Sequence, residues 1–196
     1  MSESPYFNAV VLFSIHPIVA PCPQSDLMPE YPFNFGGDVS TQAFRGVYRE
    51  NVAVLVLRRD GRLMFCKCAD DEHEWQFPQG GVDAGETRRE AMFRELREET
   101  GIRPTAVRVT AVRSGYQYTF PGGRLKKGVY CGQRQTYFLC ALLKPDNVIN
   151  LNAMVPPEFE EIEWVLPSKF PIQRTPEFKH PVYRQVMKDF FQVTLP

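Results

Sequence analysis

The chain has 196 residues and 43% apolar content, enough for one domain with a real core. Its 23 Lys and Arg balance 23 Asp and Glu, so a generally basic nucleic-acid binder is excluded and any contact with nucleic acid must use a local patch. No stretch has the eighteen or so apolar residues of a membrane span, and no Lys or Arg precedes Arg45 to make a basic signal or presequence, so the expectation is a cytoplasmic protein with no membrane partner.

Residues 1–46 read as a proline-rich N-terminal arm, "PIVAPCPQSDLMPEYPFNF" being its most biased part. Its Phe, Tyr, Val and Ile argue against simple disorder. The arm fits an extended segment lying on the domain, or a protein or dimer contact. The domain proper is expected over 47–196. From Asn51, "NVAVLVLRR" and "LMFCKCA" read as strands joined by the turn "RDGR", with Asp60-Gly61 as the hairpin signal. Five cysteines, Cys22, Cys66, Cys68, Cys131 and Cys140, are an odd number in a chain too long for a stapled mini-domain, which favours a reducing compartment. The Cys66-Lys67-Cys68 spacing suits one strand face rather than zinc, which wants C-x-x-C or a histidine nearby.

"ETRREAMFRELREETG" predicts a helix with Thr87 as its cap, Glu90 completing a capping box, and Gly101 and Pro104 ending it. "AVRVTAVRSGYQYTF", "RQTYFLCALL" and "EIEWVL" read as strands by their β-branched and aromatic content. Residues 180–193 predict an amphipathic helix with Pro181 near its first turn. The order ββαβββα makes the fold class α+β, a mixed β-sheet layered between helices. His16, His73 and His180 have no spacing that suggests a metal or triad role.

The first helix poses a problem. Glu95, Glu98 and Glu99 fall within one turn, where like charges repel by about 0.2–0.5 kcal/mol per pair. On a helical wheel Met92, Phe93 and Leu96 form the apolar stripe and the glutamates lie at its edge. A solvated helix laced with pairs such as Glu90 with Arg94 is the plain account. Carboxylates so placed also hold hard divalent cations, which remove the repulsion.

The residues before the helix decide between these. "PQGGVDAGE" is a glycine-punctuated loop, and Gly80 and Gly81 let backbone approach a ligand closely. With the helix it spells Gly80, Glu86, Arg94, Glu95, Leu96, Glu98, Glu99, Gly101 and Ile102, which resembles the Nudix box at every specified position. Each Gly, Glu or Arg among them matches by chance about one time in fifteen, so coincidence does not explain the set. The resemblance implies an αβα sandwich and a hydrolase of nucleoside diphosphate linkages that uses Mg²⁺ or Mn²⁺. It implies metal binding by Gly80, Glu95, Glu98, Glu99 and a downstream glutamate. Catalytic assistance to water falls to Glu98, Glu99 or that further glutamate, and Glu86 and Arg94 orient the carboxylates.

"WQFPQGG", 75–81, narrows the resemblance to the branch of RNA 5′-pyrophosphohydrolases and diadenosine tetraphosphate hydrolases, and the likeness runs from "VYRENVAVLVL" to "VYRQVMKDF". "PEFEEIEWV" is similar to the segment that carries the extra carboxylate, placing it at Glu158, with Glu160 and Glu161 in reserve. "FKHPVY" implies that Lys179 faces substrate phosphate, and Arg49 matches a phosphate-contacting arginine. Where that branch has paired arginines on the second strand this chain reads "CKC", leaving Lys67 as the expected cation. Lys126, in the loop with Arg124 and Lys127, fits either a phosphate grip or a solvated loop. Tyr118 fits either a half-buried strand residue or a base-stacking ring, and Trp75 either core or a base-facing lid. The expected substrates are dinucleoside polyphosphates, 5′-triphosphate RNA ends, or both. An idle module that binds nucleotides or RNA ends is the alternative of another class, and an ADP-ribose or housecleaning activity a third.

Overall fold

The computed structural model describes residues 47–71 and 74–196. The N-terminal arm and its expected contact, together with His16, Cys22 and His73, lie outside the described residues.

Among the described residues seven strands and two α-helices follow one another: β1 (Val47–Leu57), β2 (Leu63–Cys68), β3 (Trp75–Gln76), β4 (Gln79–Gly81), α1 (Arg88–Thr100), β5 (Val107–Thr119), β6 (Tyr130–Leu142), β7 (Phe159–Val165) and α2 (His180–Phe191). The sheet is mixed. β1 runs parallel to β6, β6 pairs antiparallel with β5, and β2 pairs antiparallel with β7. β1 begins at Val47, four residues before the expected start at Asn51, because the parallel β6 supplies partners for that extension.

From Val52 to Leu57 β1 is buried on both faces, which is why that stretch is a continuous apolar run rather than an alternation. Val52, Val54 and Val56 meet α1 through Ala91, Met92 and Leu96. Ala53, Leu55 and Leu57 meet α2 through Val182, Tyr183, Val186 and Met187. The α+β expectation of a sheet between two helical layers therefore holds, with one apolar core on each side.

β1 and β2 touch only at their hairpin end, Leu57 to Leu63, and then part. The segment 75–81 fills the gap as a wedge. β3 pairs with β2 through Cys66 and Gln76, while β4 pairs with β1 through Ala53 and Gln79. At its apex the Pro78 carbonyl accepts the Val54 N–H at 2.8 Å. The "WQFPQGG" stretch thus splits the sheet, and the functional cleft opens where it does so.

α1 is capped as expected. The Thr87 hydroxyl accepts the Glu90 N–H at 3.2 Å and Glu90 accepts the Thr87 N–H at 2.7 Å. Gly101 closes it with φ +72°, a left-handed conformation that favours glycine. Its buried face differs from the expected stripe: Ala91, Met92, Leu96, Glu99 and Thr100 are buried, while Phe93 is half-buried beside Arg89. Among the described residues no helix is long and apolar enough to cross a membrane.

Candidate active site

A cleft of about 930 Å³ lies between the wedge, the C-terminal end of β2, the β5–β6 pair and the turn leading into α2. Its lining includes Arg49, Gly80, Glu95, Tyr118, Lys126, Glu158 and Lys179, seven of the residues expected from sequence. Glu86, Arg94, Glu98, Glu99 and Lys67 are not part of that lining.

Glu99 is 3% exposed, inside the buried face of α1 rather than at its edge. One oxygen accepts the Gln79 backbone N–H at 3.0 Å. The other, Oε1, is buried and has no hydrogen-bond partner among the described residues. Burial pushes this carboxyl well above the ordinary carboxylate range, and the charges of Glu158 and Glu95 push it the same way. Glu95 and Glu158 are also raised, each chiefly by desolvation.

Arg94 is the hub of the α1 carboxylates. It makes a two-pronged bond to Glu86 at 2.6 and 3.1 Å, and donates to the Gly81 carbonyl at 2.8 Å. Its third nitrogen reaches Glu95 at 2.6 Å and Glu98 at 3.5 Å. These bonds, Glu86 first, raise the guanidinium pKa and lower that of Glu86. The loop returns the favour: Glu86 accepts the Asp83 N–H at 2.8 Å, closing the turn before α1. Among the described residues no three acidic, His or Cys side chains stand close enough to enclose an ion, and it is the Arg94 guanidinium that neutralises Glu95 and Glu98.

The donor set nonetheless suits a hard divalent cation. All candidate ligands are oxygens, Glu99 Oε1 lacks any donor, and Gly80 leaves room that a side chain would occupy. A Cβ on Gly80 would lie 1.8 Å from the Glu95 carboxyl carbon, and a Cβ on Gly81 1.9 Å from an Arg49 nitrogen. Each glycine is therefore the seat of one functional side chain.

The cationic side of the cleft is built from several elements. Lys179 is 6% exposed, with its ammonium 3.0 Å from Glu74 and 2.9 Å from the Gln76 side-chain oxygen. Partial desolvation at the cleft lowers the Lys126 pKa, and the charge of Arg49 lowers it further. Tyr118 is 6% exposed, donates to Gln133 at 2.5 Å, and lies against Phe178 with ring centroids 5.4 Å apart.

Lys67 does not take the place expected of it. The strand period points it to the face opposite Cys66 and Cys68, where its ammonium is 2.5 Å from Glu160. Cys68 lines the cleft instead, and burial pushes its thiol up to about 12. Trp75 is core, 4% exposed and packed on Phe65, with the Arg174 guanidinium 3.7 Å from its ring centre. Arg124 and Phe178 also line the cleft, as do the buried amides Asn51, Gln76 and Gln133. A buried glutamine has no periodicity or charge to mark it, so only the fold brings these forward.

The fold is an αβα sandwich whose split sheet faces a helix-borne row of glutamates. The NUDIX domain model matches residues 47–190, and the chain belongs to that family. Among relatives, the RNA pyrophosphohydrolase of Shewanella piezotolerans is 43% identical over 153 residues, covering 76% of this chain and 87% of that protein. The RNA pyrophosphohydrolase of Shewanella frigidimarina is 42% identical over 152 residues, with the same coverage. Among solved structures, a C. elegans Ap4A hydrolase in a binary complex superposes with a TM-score of 0.54 at 19% identity, covering 70% of this chain and 94% of that one. The E. coli dihydroneopterin triphosphate pyrophosphohydrolase gives 0.52 at 23% identity, covering 74% and 97%. At those identities the structural likenesses speak for the fold alone.

Proposed function

We propose that this protein is a metal-dependent pyrophosphohydrolase of nucleoside polyphosphates, with 5′-triphosphate ends of RNA as its first substrate class and dinucleoside polyphosphates such as diadenosine tetraphosphate as its second. The observation that carries this reading is one cleft that brings Glu95 and Glu158 together with Arg49, Arg124, Lys126 and Lys179. The RNA pyrophosphohydrolases at 43% identity support the order of substrates.

NUDIX hydrolases use divalent cations. Here Mg²⁺ or Mn²⁺ would be held by Glu95, Glu98, Glu99, Glu158 and the Gly80 carbonyl, and would supply charge neutralisation of phosphate oxygens and acidification of water. The chain's own groups do the rest. Glu98, Glu99 or Glu158 accepts the proton of the attacking water. Lys179, Lys126 and Arg49 hold the non-bridging phosphate oxygens, and Tyr118 bounds the base. Glu86 and Arg94 fix the carboxylates in place. A cytoplasmic site of action belongs to the same proposal, supported by free thiols at Cys66, Cys68, Cys131 and Cys140.

The test sets two substrates side by side with Mg²⁺: a short 5′-triphosphorylated RNA and diadenosine tetraphosphate. The expected result is faster conversion of the RNA to its 5′-monophosphate, with Glu99→Gln losing several orders of magnitude in turnover on both. Activity on neither substrate by a folded protein would shift the reading to an idle binding module.

A further inference from the structure

Along the cleft wall a chain of buried and half-buried amides crosses the fold. Lys179 donates to the Gln76 oxygen at 2.9 Å, and the Gln79 side-chain nitrogen donates to the same oxygen at 2.7 Å. The Gln79 oxygen accepts from the Gln135 nitrogen at 2.6 Å. That nitrogen also donates to the Asn51 oxygen at 2.9 Å, and the Gln135 oxygen accepts the Tyr137 hydroxyl at 3.1 Å. Asn51, Gln76 and Gln135 are 1%, 6% and 1% exposed. Four elements contribute: β1, β3, β4 and β6.

An amide can face either way, and a chain of amides could run in either direction. One end here has no choice. An ammonium only donates, so Lys179 must meet the oxygen of Gln76. Gln79 then must present its NH₂ to that oxygen, which turns its own oxygen to Gln135. Gln135 must present its NH₂ in turn, to Gln79 and to Asn51. A single buried cation therefore sets the direction of every amide behind it. The consequence lies at the cleft surface, which Asn51 and Gln76 help line. Their oxygens are already taken by other members of the chain, so their NH₂ groups are the parts left for a ligand in the cleft. Gln135 itself is not part of the cleft lining.

We infer that Lys179 and Gln135 are positioning residues that hold this amide chain in one direction, so that Asn51 and Gln76 offer uncharged NH₂ donors to the phosphate oxygens of the substrate. The inference rests on the polyphosphate reading of the cleft. Neutral donors add directional hold on an anion without further charge in a cleft that already mixes both signs. Reversed, the same amides would turn oxygens toward an anionic substrate and repel it.

The test uses the full chain and two readouts. Gln135→Met keeps side-chain length but removes both the donor and the acceptor. It raises KM for 5′-triphosphorylated RNA about tenfold, the scale of one or two lost hydrogen bonds, while kcat stays within about threefold. Unchanged KM, or a loss in kcat alone, overturns the proposal. The second readout is hydrogen exchange of side-chain NH₂ groups by NMR, with Lys179→Met as the variant. In the native protein the Gln79 and Gln135 NH₂ protons exchange slowly, and those of Asn51 and Gln76 shift on adding methylene diphosphate. In Lys179→Met the protection of Gln79 and Gln135 falls by about tenfold or more. Unaltered protection there refutes the role of Lys179 even if Gln135→Met does not fold. If the native protein hydrolyses no polyphosphate, the function fails; slow exchange without any shift on adding the diphosphate then refutes the donor role separately.

Discussion

A buried carboxylate is costly unless it is paired, and Glu99 is 3% exposed with one oxygen facing no donor. Burial and the charges of neighbouring carboxylates raise its folded-state pKa above the unfolded value of about 4.3. Glu95 and Glu158 are shifted the same way. The folded protein therefore holds these protons more tightly than the unfolded chain. Their part of the stability is fully present below the unfolded value and is lost as pH climbs through the folded ones. Glu86 runs opposite: its pKa is lowered, so its pairing with Arg94 is lost only as pH falls through that lower value. In chelator, the wild-type protein should melt at a higher temperature near pH ~5 than near pH ~8. Glu99→Gln cannot ionise, so it should show a shallower pH slope and a higher melting temperature at the alkaline end, while being inactive. Thermal unfolding across that range measures both. Superimposable slopes for the two proteins would mean that Glu99 is not held against its charge.

The three-residue strand β4 gathers both halves of the cleft. Its Gln79 N–H holds Glu99, Gly80 seats Glu95 and Gly81 seats Arg49. An added methyl at either glycine meets the end of a flexible side chain, so the fold survives and the side chain moves. Gly80→Ala should then lower kcat by about a hundredfold, the cost of displacing a catalytic group by an ångström or so. Gly81→Ala should instead act mostly on KM, through Arg49. Steady-state kinetics on the RNA substrate separate the two, and a Gly81→Ala enzyme with normal KM would remove Arg49 from the substrate-binding set. The elements that matter most here were the least legible. The long strands and both helices showed in sequence because apolar runs and caps are local signals, and the Nudix box showed because its spacing is rigid on a helix. β3 and β4 are too short to carry a period. The parallel pairing of β1 with β6 joins segments far apart in the chain, and Lys67 was misplaced because nothing local says which face of β2 meets the cleft.

At the scale of the whole molecule the charges cancel, 23 against 23, so no net charge draws a polyanion from a distance. What remains is local. Arg49, Arg124, Lys126 and Lys179 share one cleft with Glu95, Glu158, Asp70 and Glu74, so its field is a short-range mixture of both signs. Such a field is screened beyond the Debye length of about 8–10 Å at moderate salt, which suits gripping a phosphate chain that has already arrived. Lys179 is buried and tied to Glu74 and Gln76, whereas Arg124 and Lys126 are exposed at the rim, where screening acts more strongly. Salt should therefore act mainly through the rim pair. On a triphosphorylated RNA, log kcat/KM should fall with log salt. The double variant Arg124→Gln with Lys126→Gln should reduce that slope by about 0.7 for each cation that contacts a phosphate. Lys179→Gln should lower kcat/KM at every salt concentration with less change in slope. An undiminished slope in the double variant would make that loop merely solvated and leave the deep cations, Arg49 and Lys179, to hold the substrate alone.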